Sequence, residues 1–439
     1  MKSIIKSTLA LLFAGISAVS AQNPIAPAGV YLADPQGRQW KDGKMYVYVS
    51  KDIDPGYYCS HSFDMLSSSD LKSWTLHPNT FASKGKNDRI PYSDEYIYAP
   101  DCIYKDGIYY MYYCLSGVQN VEGVTTSKSP TGPFENGEIL KGCDQIDPSV
   151  FIDDDGQPYL YWGQFAAKVA KLKPNMKELD LSTLKDSIIT EKDHFFHEGI
   201  QMFKRNGIYY LVYANIERHG MATSLGYSTS TSPTGPFKYQ GVIIDNFGCD
   251  PNVWNNHGSV VEFNGKWYIL YHRSTHGSVT MRKACIEPIT FNADGTINEV
   301  EMTTQGAAGP LNPFQKMEAE RACFLTGKVR IQASSKNNEE LARIENLNAA
   351  AYKYFDFKKS PKRLIVKVTP QNGGKLVVFA NNLCAPLLGT IDIPAGDGKN
   401  AQILSIELKT DLKGVYPIYF RFQGEDDKDL YKIDWFKFE

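Results

Sequence analysis

Short apolar and aromatic runs alternate with polar turns along most of the chain, and no long segment shows the 3.6-residue period of an amphipathic helix. Five times, an Asp-Gly or Asn-Gly pair precedes a run rich in tyrosine. The glycines of these pairs are Gly43, Gly107, Gly156, Gly207 and Gly265. Such a pair between two apolar runs is typical of a tight β-hairpin turn. Because the hairpin recurs every 49 to 64 residues, the pattern predicts a five-bladed β-propeller.

A second repeated phrase supports the propeller. Residues 127–134 and 230–237 both read Ser-x-Ser-Pro-Thr-Gly-Pro-Phe, and residues 67–74 hold a related serine-rich turn that ends in Trp74. Proline and glycine together favour a turn between two strands. We therefore interpret these phrases as structural turns at equivalent places in different blades.

The repeats end near residue 312. Residues 306–316 are rich in glycine, alanine and proline, which indicates a linker. Short alternating strands then follow, such as residues 363–368 and 401–408, without another copy of the hairpin repeat. About 120 residues of this kind suit one β-sandwich. The sequence therefore predicts an all-β chain, with a propeller over residues 22–312 and a jelly-roll sandwich over residues 313–439.

The first 21 residues have the pattern of a secretory signal peptide. Lys2 and Lys6 precede a mostly apolar stretch, residues 9–19, and Val19-Ser20-Ala21 is an acceptable cleavage site. The stretch is short for a membrane span, and no later segment is apolar enough to cross a bilayer. We therefore expect an exported protein, periplasmic or extracellular, without a membrane span.

Composition narrows the choice of partners. The chain has 47 basic and 49 acidic residues and no basic cluster, which is not typical of nucleic-acid binding. Its 27 tyrosines suit strands and also suit stacking against sugar rings. The eight cysteines form no Cys-x-x-Cys pair and no zinc-like spacing. We expect most of them to be free and buried.

Three copies of the repeat carry a carboxylate nine residues before the turn glycine: Asp34, Asp147 and Glu198. Equivalent positions of neighbouring blades converge on the propeller axis, so we expect these side chains to meet. Hydrolysis of a glycosidic bond needs one protonated and one ionised carboxyl group, and a third carboxylate raises the pKa of the acid. We assign Asp34 as the base, Glu198 as the acid and Asp147 as the group that raises the pKa of that acid. Any one of them alone is compatible with a simple turn or strand start.

Several phrases of the first domain resemble the glycoside hydrolases of family 43. They are residues 33–35 (Ala-Asp-Pro), 98–101 (Tyr-Ala-Pro-Asp), 147–156 (Asp-Pro-Ser-Val-Phe-Ile-Asp-Asp-Asp-Gly), 197–199 (His-Glu-Gly), 257–259 (His-Gly-Ser) and 271–273 (Tyr-His-Arg). The resemblance implies a five-bladed propeller, hydrolysis with inversion, and the same roles for Asp34, Asp147 and Glu198. It also implies that His257 lies on the axis near a bound calcium or sodium ion.

Other residues are expected to contact the sugar. Arg273 is the expected sugar-binding cation, with an ion pair that faces outward as the alternative. Tyr98 stands nine residues before Gly107, where the family more often has a tryptophan. The candidate pocket walls, each of which could equally pack between blades, are Trp40, Phe165, Phe247 and Trp254.

The second domain resembles the carbohydrate-binding modules of family 6. The matching phrases are residues 317–320 (Met-Glu-Ala-Glu), 388–394 (Leu-Gly-Thr-Ile-Asp-Ile-Pro) and 433–436 (Ile-Asp-Trp-Phe). The resemblance implies a structural calcium held by Glu318 or Glu320 together with Asp434. The tryptophan with which family members stack a sugar is missing, and Tyr352 and Tyr354 are its candidate substitutes. Glycan binding and a purely supporting role are both compatible with this domain.

These features together predict an exo-acting, inverting glycosidase that removes terminal pentose from plant cell-wall polysaccharide or oligosaccharide. The expected sugar is α-L-arabinofuranose. β-Xylosidase, endo-arabinanase and galactofuranosidase activities are alternatives on the same site. A non-catalytic glycan-binding propeller is the alternative from another class, although it would not need all three acids.

Overall fold

The computed structural model describes residues 22–117, 121–384 and 386–439, so the predicted signal peptide lies outside the described residues. Within these ranges the chain is almost entirely β-structure, which confirms the predicted fold class. The first nineteen strands form the blades of a propeller and the last eleven form a sandwich. The helical segments are the four-residue α1 (Glu191–His194) and three 3-10 turns, Gly85–Asn87, Gly306–Ala308 and Ala319–Arg321.

The propeller has five blades, and in each blade neighbouring strands run antiparallel in chain order. Blade 1 consists of β1 (Tyr31–Gln39), β2 (Met45–Asp52), β3 (Ser62–Ser68) and β4 (Thr75–Ala82). Blade 2 consists of β5 (Ile97–Lys105), β6 (Ile108–Leu115), β7 (Val121–Ser127) and β8 (Glu135–Asp144). Blade 3 consists of β9 (Ser149–Ile152), β10 (Pro158–Trp162), β11 (Lys168–Leu172) and β12 (Leu179–Lys185). Blade 4 consists of β13 (Phe196–Arg205), β14 (Ile208–Asn215), β15 (Ser224–Ser230) and β16 (Lys238–Asp245). Blade 5 consists of β17 (Ser259–Phe263), β18 (Lys266–Arg273) and β19 (Lys283–Ile289).

The repeated Asp-Gly and Asn-Gly pairs join the first two strands of each blade. In blade 2 both turn residues have positive φ, 51° at Asp106 and 87° at Gly107, and blade 4 repeats this at Asn206 and Gly207. Two successive residues with positive φ define the type I′ turn, whose twist matches the strands it joins. Asparagine, aspartate and glycine tolerate this conformation best, which is why the sequence marks these hairpins so clearly.

The start of the described chain closes the ring of blades. The amide of Ile25 donates to the carbonyl of Ala284 over 2.9 Å, so residues 23–25 run beside β19. β1 then pairs in parallel with β19 through Leu32 and Lys283. Blades 5 and 1 therefore form one continuous sheet of seven strands. This closure ties the two ends of the propeller together.

Tyrosines of the inner hairpins hold neighbouring blades together. The Tyr48 hydroxyl of blade 1 donates to the Pro130 carbonyl of blade 2 over 3.0 Å, and the Tyr161 hydroxyl of blade 3 donates to the Pro233 carbonyl of blade 4 over 2.7 Å. Both acceptors lie in the repeated Ser-x-Ser-Pro-Thr-Gly-Pro-Phe phrase. A buried tyrosine needs such a partner for its hydroxyl. Tyrosines of the hairpin repeat therefore bind the repeated proline phrase of the next blade.

The second domain is a sandwich of two antiparallel sheets. Its strands are β20 (Met317–Glu318), β21 (Phe324–Leu325), β22 (Arg330–Ser335), β23 (Asn338–Ala342), β24 (Ala349–Phe357), β25 (Arg363–Pro370), β26 (Gly374–Ala380), β27 (Leu387–Ile393), β28 (Gln402–Glu407), β29 (Gly414–Gln423) and β30 (Tyr431–Phe438). One sheet has the order β22-β23-β30-β25-β28, with β20 beside β30, and the other has the order β21-β24-β29-β26-β27. Aromatic residues such as Phe355, Phe420 and Phe436 fill the space between them.

All eight cysteines are free, and seven of them are buried; Cys384 is exposed. Buried thiols of this kind pack as small apolar side chains. In the described part of the chain, no helix is long and apolar enough to cross a membrane.

Candidate active site

The predicted acids lie where the innermost strands of the blades begin. Asp34 and Asp147 have positive φ, 51° and 63°, as does Gly199 beside Glu198 at 69°. The pairing of β1 with β2 shifts register between Ala33 and Gln36, and that of β13 with β14 shifts after Glu198. A β-bulge redirects a side chain and bends its strand. Here these bends direct carboxylates from blades 1, 3 and 4 into one pocket.

That pocket has a volume of about 570 Å³ and opens at one end of the propeller. Such a volume is typical of sites for small molecules. Its titratable lining side chains include all three predicted acids, a histidine and an arginine: Asp34, Asp147, Glu198, His257 and Arg282. A larger groove of about 820 Å³ lies between blades 1 and 2 and the second domain, around His77 and Pro78. Because no carboxylate lines that groove, it lacks the groups for acid–base hydrolysis.

Asp34 is held ionised. Burial is the largest single effect and would raise the pKa of this carboxyl, but Arg282, His257, His272 and a hydrogen bond with Ser50 together lower the pKa of Asp34 to about 2. Arg282 Nη1 donates to Asp34 Oδ1 over 2.8 Å. His272 Nδ1 accepts the Asp34 amide hydrogen over 3.3 Å, and burial lowers the pKa of both His257 and His272. Arg282 is the largest of the effects that lower the pKa of Asp34 and keep it ready to accept a proton.

Asp147 and Glu198 lie in the opposite electrostatic setting. Burial, and then the charges of Glu198 and Asp34, raise the pKa of Asp147 well above its ordinary value. The Gly199 amide donates to Asp147 over 2.8 Å, and Gln164 Nε2 donates to Glu198 Oε2 over 2.8 Å. The raised pKa of Asp147 differs from the expectation that Asp147 is an ionised neighbour of the acid.

Aromatic residues form the walls of the pocket. Trp254 Nε1 donates to the Tyr58 hydroxyl over 2.5 Å, and Tyr98 lies opposite on β5. Tyr57 also lines the pocket and is 52% exposed. Phe165 is 53% exposed and lies edge-on to His197 at 5.2 Å, beside the pocket residue Gln164. Aromatic faces at a polar pocket suit the apolar faces of a sugar ring.

Three of the residues predicted to contact the sugar lie elsewhere. Arg273 is 3% exposed, and its guanidinium donates to the Tyr271 hydroxyl and the Thr303 carbonyl over 2.7 and 2.6 Å. Its side chain is therefore part of the protein interior behind β18. Trp40 follows the far end of β1, where its Nε1 donates to Tyr48 over 3.2 Å. Phe247 stacks on His219 at 3.9 Å, in a different groove.

Arg282, which sequence reasoning missed, is the arginine of the pocket. It contacts Asp52 through its backbone amide, Nε and Nη2 over 3.0, 2.9 and 3.0 Å, in addition to its bond to Asp34. Arg282 lies immediately before β19, the third strand of blade 5. The hairpin repeat marks only the first two strands of a blade, so no sequence signal singled out this residue.

Few side chains surround the place near His257 where an axial cation is expected. His257 Nδ1 faces Asp34 at 3.6 Å and Asp147 at 4.0 Å, both groups with a proposed role in the reaction. On its other side the acceptor Gln36 Oε1 is buried without a partner. Calcium takes six to eight oxygen ligands, so water would have to supply most of them here. Arg38, whose Nη2 reaches Asp101 at 2.6 Å, already brings a positive charge into the centre.

Of the ligands expected for calcium in the second domain, Glu318 and Glu320 each have a buried carboxylate oxygen without a partner, whereas Asp434 is already paired. Asp434 is paired with Lys367 Nζ at 2.6 Å and accepts from Asn338 Nδ2 over 3.1 Å. Glu320 is buried, and burial raises the pKa of its carboxyl to about 8. Across the described ranges, no group of three or more His, Cys, Asp or Glu side chains is placed to hold a metal ion.

The candidate glycan-stacking residues of the second domain are corrected as well. Tyr352 is fully buried, and its hydroxyl donates to the Ala319 carbonyl over 2.9 Å. The Tyr354 hydroxyl is bonded to Glu301 of the segment that leads out of the propeller. The Tyr352 ring is therefore not available to stack on a sugar, whereas the Tyr354 ring is half-buried with its hydroxyl engaged.

Comparison with known proteins gives an independent line of evidence. Residues 21–297 match the model for Glycosyl hydrolases family 43, and residues 318–439 match that for Carbohydrate binding module (family 6). A xylosidase/arabinosidase of Thermoclostridium stercorarium is 29% identical over 492 aligned residues, covering 93% of this chain and 97% of that protein. An arabinoxylan arabinofuranohydrolase of Bacillus subtilis (strain 168) is 29% identical, covering 92% of this chain and 90% of that protein.

The fold has a counterpart among solved structures. The crystal structure of a glycoside hydrolase family 43 arabinoxylan arabinofuranohydrolase from Bacillus subtilis, in complex with cellotetraose, superposes with a TM-score of 0.55. The alignment covers 95% of this chain and 99% of that chain at 25% identity. Both domains thus have counterparts in one known protein.

Proposed function

Because this chain belongs to the glycosyl hydrolases of family 43, we propose that it is an exo-acting, inverting hydrolase that removes terminal α-L-arabinofuranose from arabinose-bearing cell-wall polysaccharide or oligosaccharide. One observation carries the proposal. Three carboxyl groups meet in one buried pocket, where Arg282 holds Asp34 ionised while burial raises the pKa of Asp147. Glycoside hydrolysis requires an ionised base and a protonated acid, and we assign these roles to Asp34 and Glu198.

The proposed reaction uses one water molecule and one proton from the enzyme. Asp34 takes a proton from the water as its oxygen bonds to the anomeric carbon. Glu198 gives a proton to the glycosidic oxygen as the bond to the leaving group breaks. Inversion requires the two carboxyl groups to stand roughly 6.5–9.5 Å apart so that a water fits between base and sugar. After each turnover Asp34 releases its proton to the solvent and Glu198 takes one up, which restores both groups.

Two observations favour arabinose over the alternatives. The two curated relatives that match both domains are a xylosidase/arabinosidase and an arabinoxylan arabinofuranohydrolase, so arabinose release is common to both names. The buried position of the acids, with Asp34 and Asp147 each 4% exposed, suits a chain end that enters a pocket. β-Xylosidase activity is the second candidate, because one of the two names includes it.

A panel of 4-nitrophenyl glycosides tests the sugar: α-L-arabinofuranoside, β-D-xyloside, β-D-galactofuranoside and α-L-arabinopyranoside. We expect the arabinofuranoside to have the highest kcat/KM, and proton NMR of the first product to show the inverted anomer. A preference for the xyloside would identify xylose as the released sugar instead of arabinose. No activity on any of the four glycosides, together with release of oligosaccharides from arabinan, would identify an endo-acting enzyme.

A matched pair of variants tests the site. Glu198→Gln removes the proposed acid without a change in shape, whereas Glu262→Gln makes the same change at an exposed position of β17. We expect only the first to lose turnover. Equal activity of both variants would remove Glu198 from the mechanism.

We also propose that the protein is exported, on the basis of the pattern in residues 1–21. N-terminal sequencing of protein recovered from the periplasm or the medium tests this, with Gln22 expected as the first residue. Recovery of uncleaved chain from the cytoplasm would contradict it.

For the second domain we propose a supporting role. Ion pairs cover the outward face of its larger sheet: Lys367–Asp434 at 2.6 Å, Lys432–Glu340 at 2.9 Å and Arg363–Glu407 at 2.7 Å. Trp435, which pairs with Lys367 on this sheet, is half-buried and has Lys316 Nζ 5.9 Å from its ring. Affinity electrophoresis of the full chain in arabinoxylan tests the proposal, since strong retardation of a Glu198→Gln variant saturated with arabinose would indicate glycan binding by the sandwich.

A further inference from the structure

The pocket arginine belongs to a loop that the second domain holds in place. The loop, which we name the arginine loop, comprises residues 274–282 between β18 and β19. Its His276 amide donates to the Ile331 carbonyl over 2.9 Å, and His276 Nε2 accepts from the Ala333 amide over 3.1 Å. Ile331 and Ala333 lie on β22 of the sandwich. His276 is thereby bonded to β22 through both its backbone and its side chain.

The other end of the arginine loop is anchored to the same hairpin. Lys283, which follows Arg282, forms an ion pair with Glu339 on β23, and these side chains are 3% and 0% exposed. A buried ion pair of this kind fixes geometry more than it adds stability, because desolvation offsets the attraction. The β22–β23 hairpin therefore contacts the chain on both sides of Arg282.

A third contact reaches the middle of the loop. The Gly277 amide donates to Asp250 Oδ2 over 3.1 Å, and Arg330 at the start of β22 lies 3.4 Å from Asp250 Oδ1. Gly277 has φ of 65°, and a Cβ there would lie 2.9 Å from Arg330 Nε. The close approach leaves no room for the loop to shift toward the sandwich.

The arginine loop in turn supports the wall of the pocket. Ser278 Oγ donates to the Pro55 carbonyl over 2.6 Å, and Thr280 Oγ1 donates to the Asp54 carbonyl over 3.0 Å. These carbonyls belong to residues 53–59, which carry the pocket tyrosines Tyr57 and Tyr58. The Arg282 guanidinium lies over the Tyr58 ring at 5.0 Å. Contacts therefore run without a break from the sandwich hairpin to the arginine loop and on to the pocket.

We propose that the C-terminal sandwich completes the active site, with His276 as the positioning residue through which its β22–β23 hairpin holds Arg282 against Asp34. The kinetic effect that we expect rests on the proposed function, whereas the expected loosening of the loop does not. Asp52 joins the two loops, since it accepts from the Cys59 amide over 2.9 Å and from Arg282. Release of His276 would therefore loosen both the cation and the tyrosine wall.

Three full-length variants test the proposal. His276→Ala removes the acceptor for the Ala333 amide, whereas His276→Gln keeps an acceptor oxygen. Glu301→Gln is the control, because Glu301 pairs with Lys353 of the sandwich at 2.6 Å and has no contact with the arginine loop among its described bonds. It weakens the contact between the domains at a different place.

The kinetic readout is kcat/KM as a function of pH, below the melting temperature of each variant. For His276→Ala we expect a loss on the order of 10- to 100-fold, as for misplacement of a catalytic group by about 1 Å, together with an upward shift of the acid limb. His276→Gln should recover most of the loss, and Glu301→Gln should match the native enzyme. A merely structural role would lower the folded fraction without a shift of the limb.

Amide hydrogen exchange, which needs no substrate, tests whether His276 holds the arginine loop in place. We expect His276→Ala to speed exchange of the Arg282 and Cys59 amides, whose bonds to Asp52 depend on the loop, and Glu301→Gln to leave both unchanged. Unchanged exchange in His276→Ala would overturn the proposal whatever the kinetics. If the native chain turns over no pentoside while exchange responds as expected, the proposed function fails and the support of the pocket by the sandwich stands.

Discussion

Substitution of Arg282 by glutamine should move the acid limb of the pH profile into an accessible range. Arg282 is the largest of the effects that together lower the pKa of the buried Asp34 carboxyl from 3.8 to about 2. Without the cation, burial is opposed only by the weaker effects of His257, His272 and Ser50, so the pKa rises. A return to 3.8 is a change of about 1.8 pH units, or roughly 2.5 kcal/mol at 1.36 kcal/mol per unit.

The sign follows from the proposed role of Asp34 as a base. A carboxylate accepts a proton only while ionised, so activity falls as the pH drops through the pKa of Asp34. At pH 3, Asp34 with a pKa of about 2 is roughly nine-tenths ionised, whereas a pKa of 3.8 leaves about one-seventh. For a return to 3.8, Arg282→Gln normalised to pH 7 should therefore lose about sixfold more kcat/KM at pH 3 than the native enzyme.

The assay is kcat/KM on the preferred aryl glycoside from pH 3 to 8, with circular dichroism at each pH to show that the protein is folded. Arg282→Lys is the matched control, because lysine keeps the positive charge but lacks the planar fork that reaches both Asp34 and Asp52. We expect it to lose activity at every pH without a large shift of the limb. Coincident normalised profiles for the native enzyme and Arg282→Gln would refute the electrostatic account of Asp34.

Three further predictions address other parts of the structure. Glu198→Gln should lose about 10²- to 10⁴-fold in kcat, and less with an aryl leaving group of low pKa than with an alkyl one; equal losses with both would argue against a role as the acid. Arg273→Met should lower the melting temperature, because it removes the cation that lies 3.7 Å from the buried Glu287 carboxylate, at a cost of about 3–5 kcal/mol. KM should not change, and a raised KM with native stability would place Arg273 in the substrate pocket. Glu320→Gln should be more stable than the native protein at pH 8 but not at pH 4.5. Burial raises the pKa of the Glu320 carboxyl to about 8, so the native protein loses stability as the pH rises toward that value, whereas glutamine does not ionise. A stability difference that stays constant between these two pH values in thermal melts would contradict this explanation.

The fold was predictable because its signals are local. The Asp106-Gly107 pair adopts the two positive φ angles of a type I′ turn, a conformation that Asp, Asn and Gly tolerate well. The proline phrases and the tyrosines were equally visible, although their sequence did not show that Tyr48 and Tyr161 bond to those phrases across blades. The closure of the ring by residues 23–25 was not predictable, because those residues carry no copy of the repeat.

The candidate site was predictable only in part. Asp34, Asp147 and Glu198 were found because each occupies the same place in a repeated unit, and radial repetition brings equivalent places together. Arg273 was chosen for its position in a familiar phrase, but its side chain points into the interior toward Glu287. The pocket arginine comes from a loop that the repeat does not mark.

The sequence by itself determined the hairpins, the number of blades, the change of character after residue 312 and the three acids, because each depends on neighbours along the chain or on a fixed repeat. The tertiary structure decided which cation pairs with Asp34, how far burial raises the pKa of Asp147, and how the sandwich meets the arginine loop. These depend on distances of a few ångströms between segments up to about 250 residues apart and on how completely each charge is buried, and electrostatic effects change steeply with both.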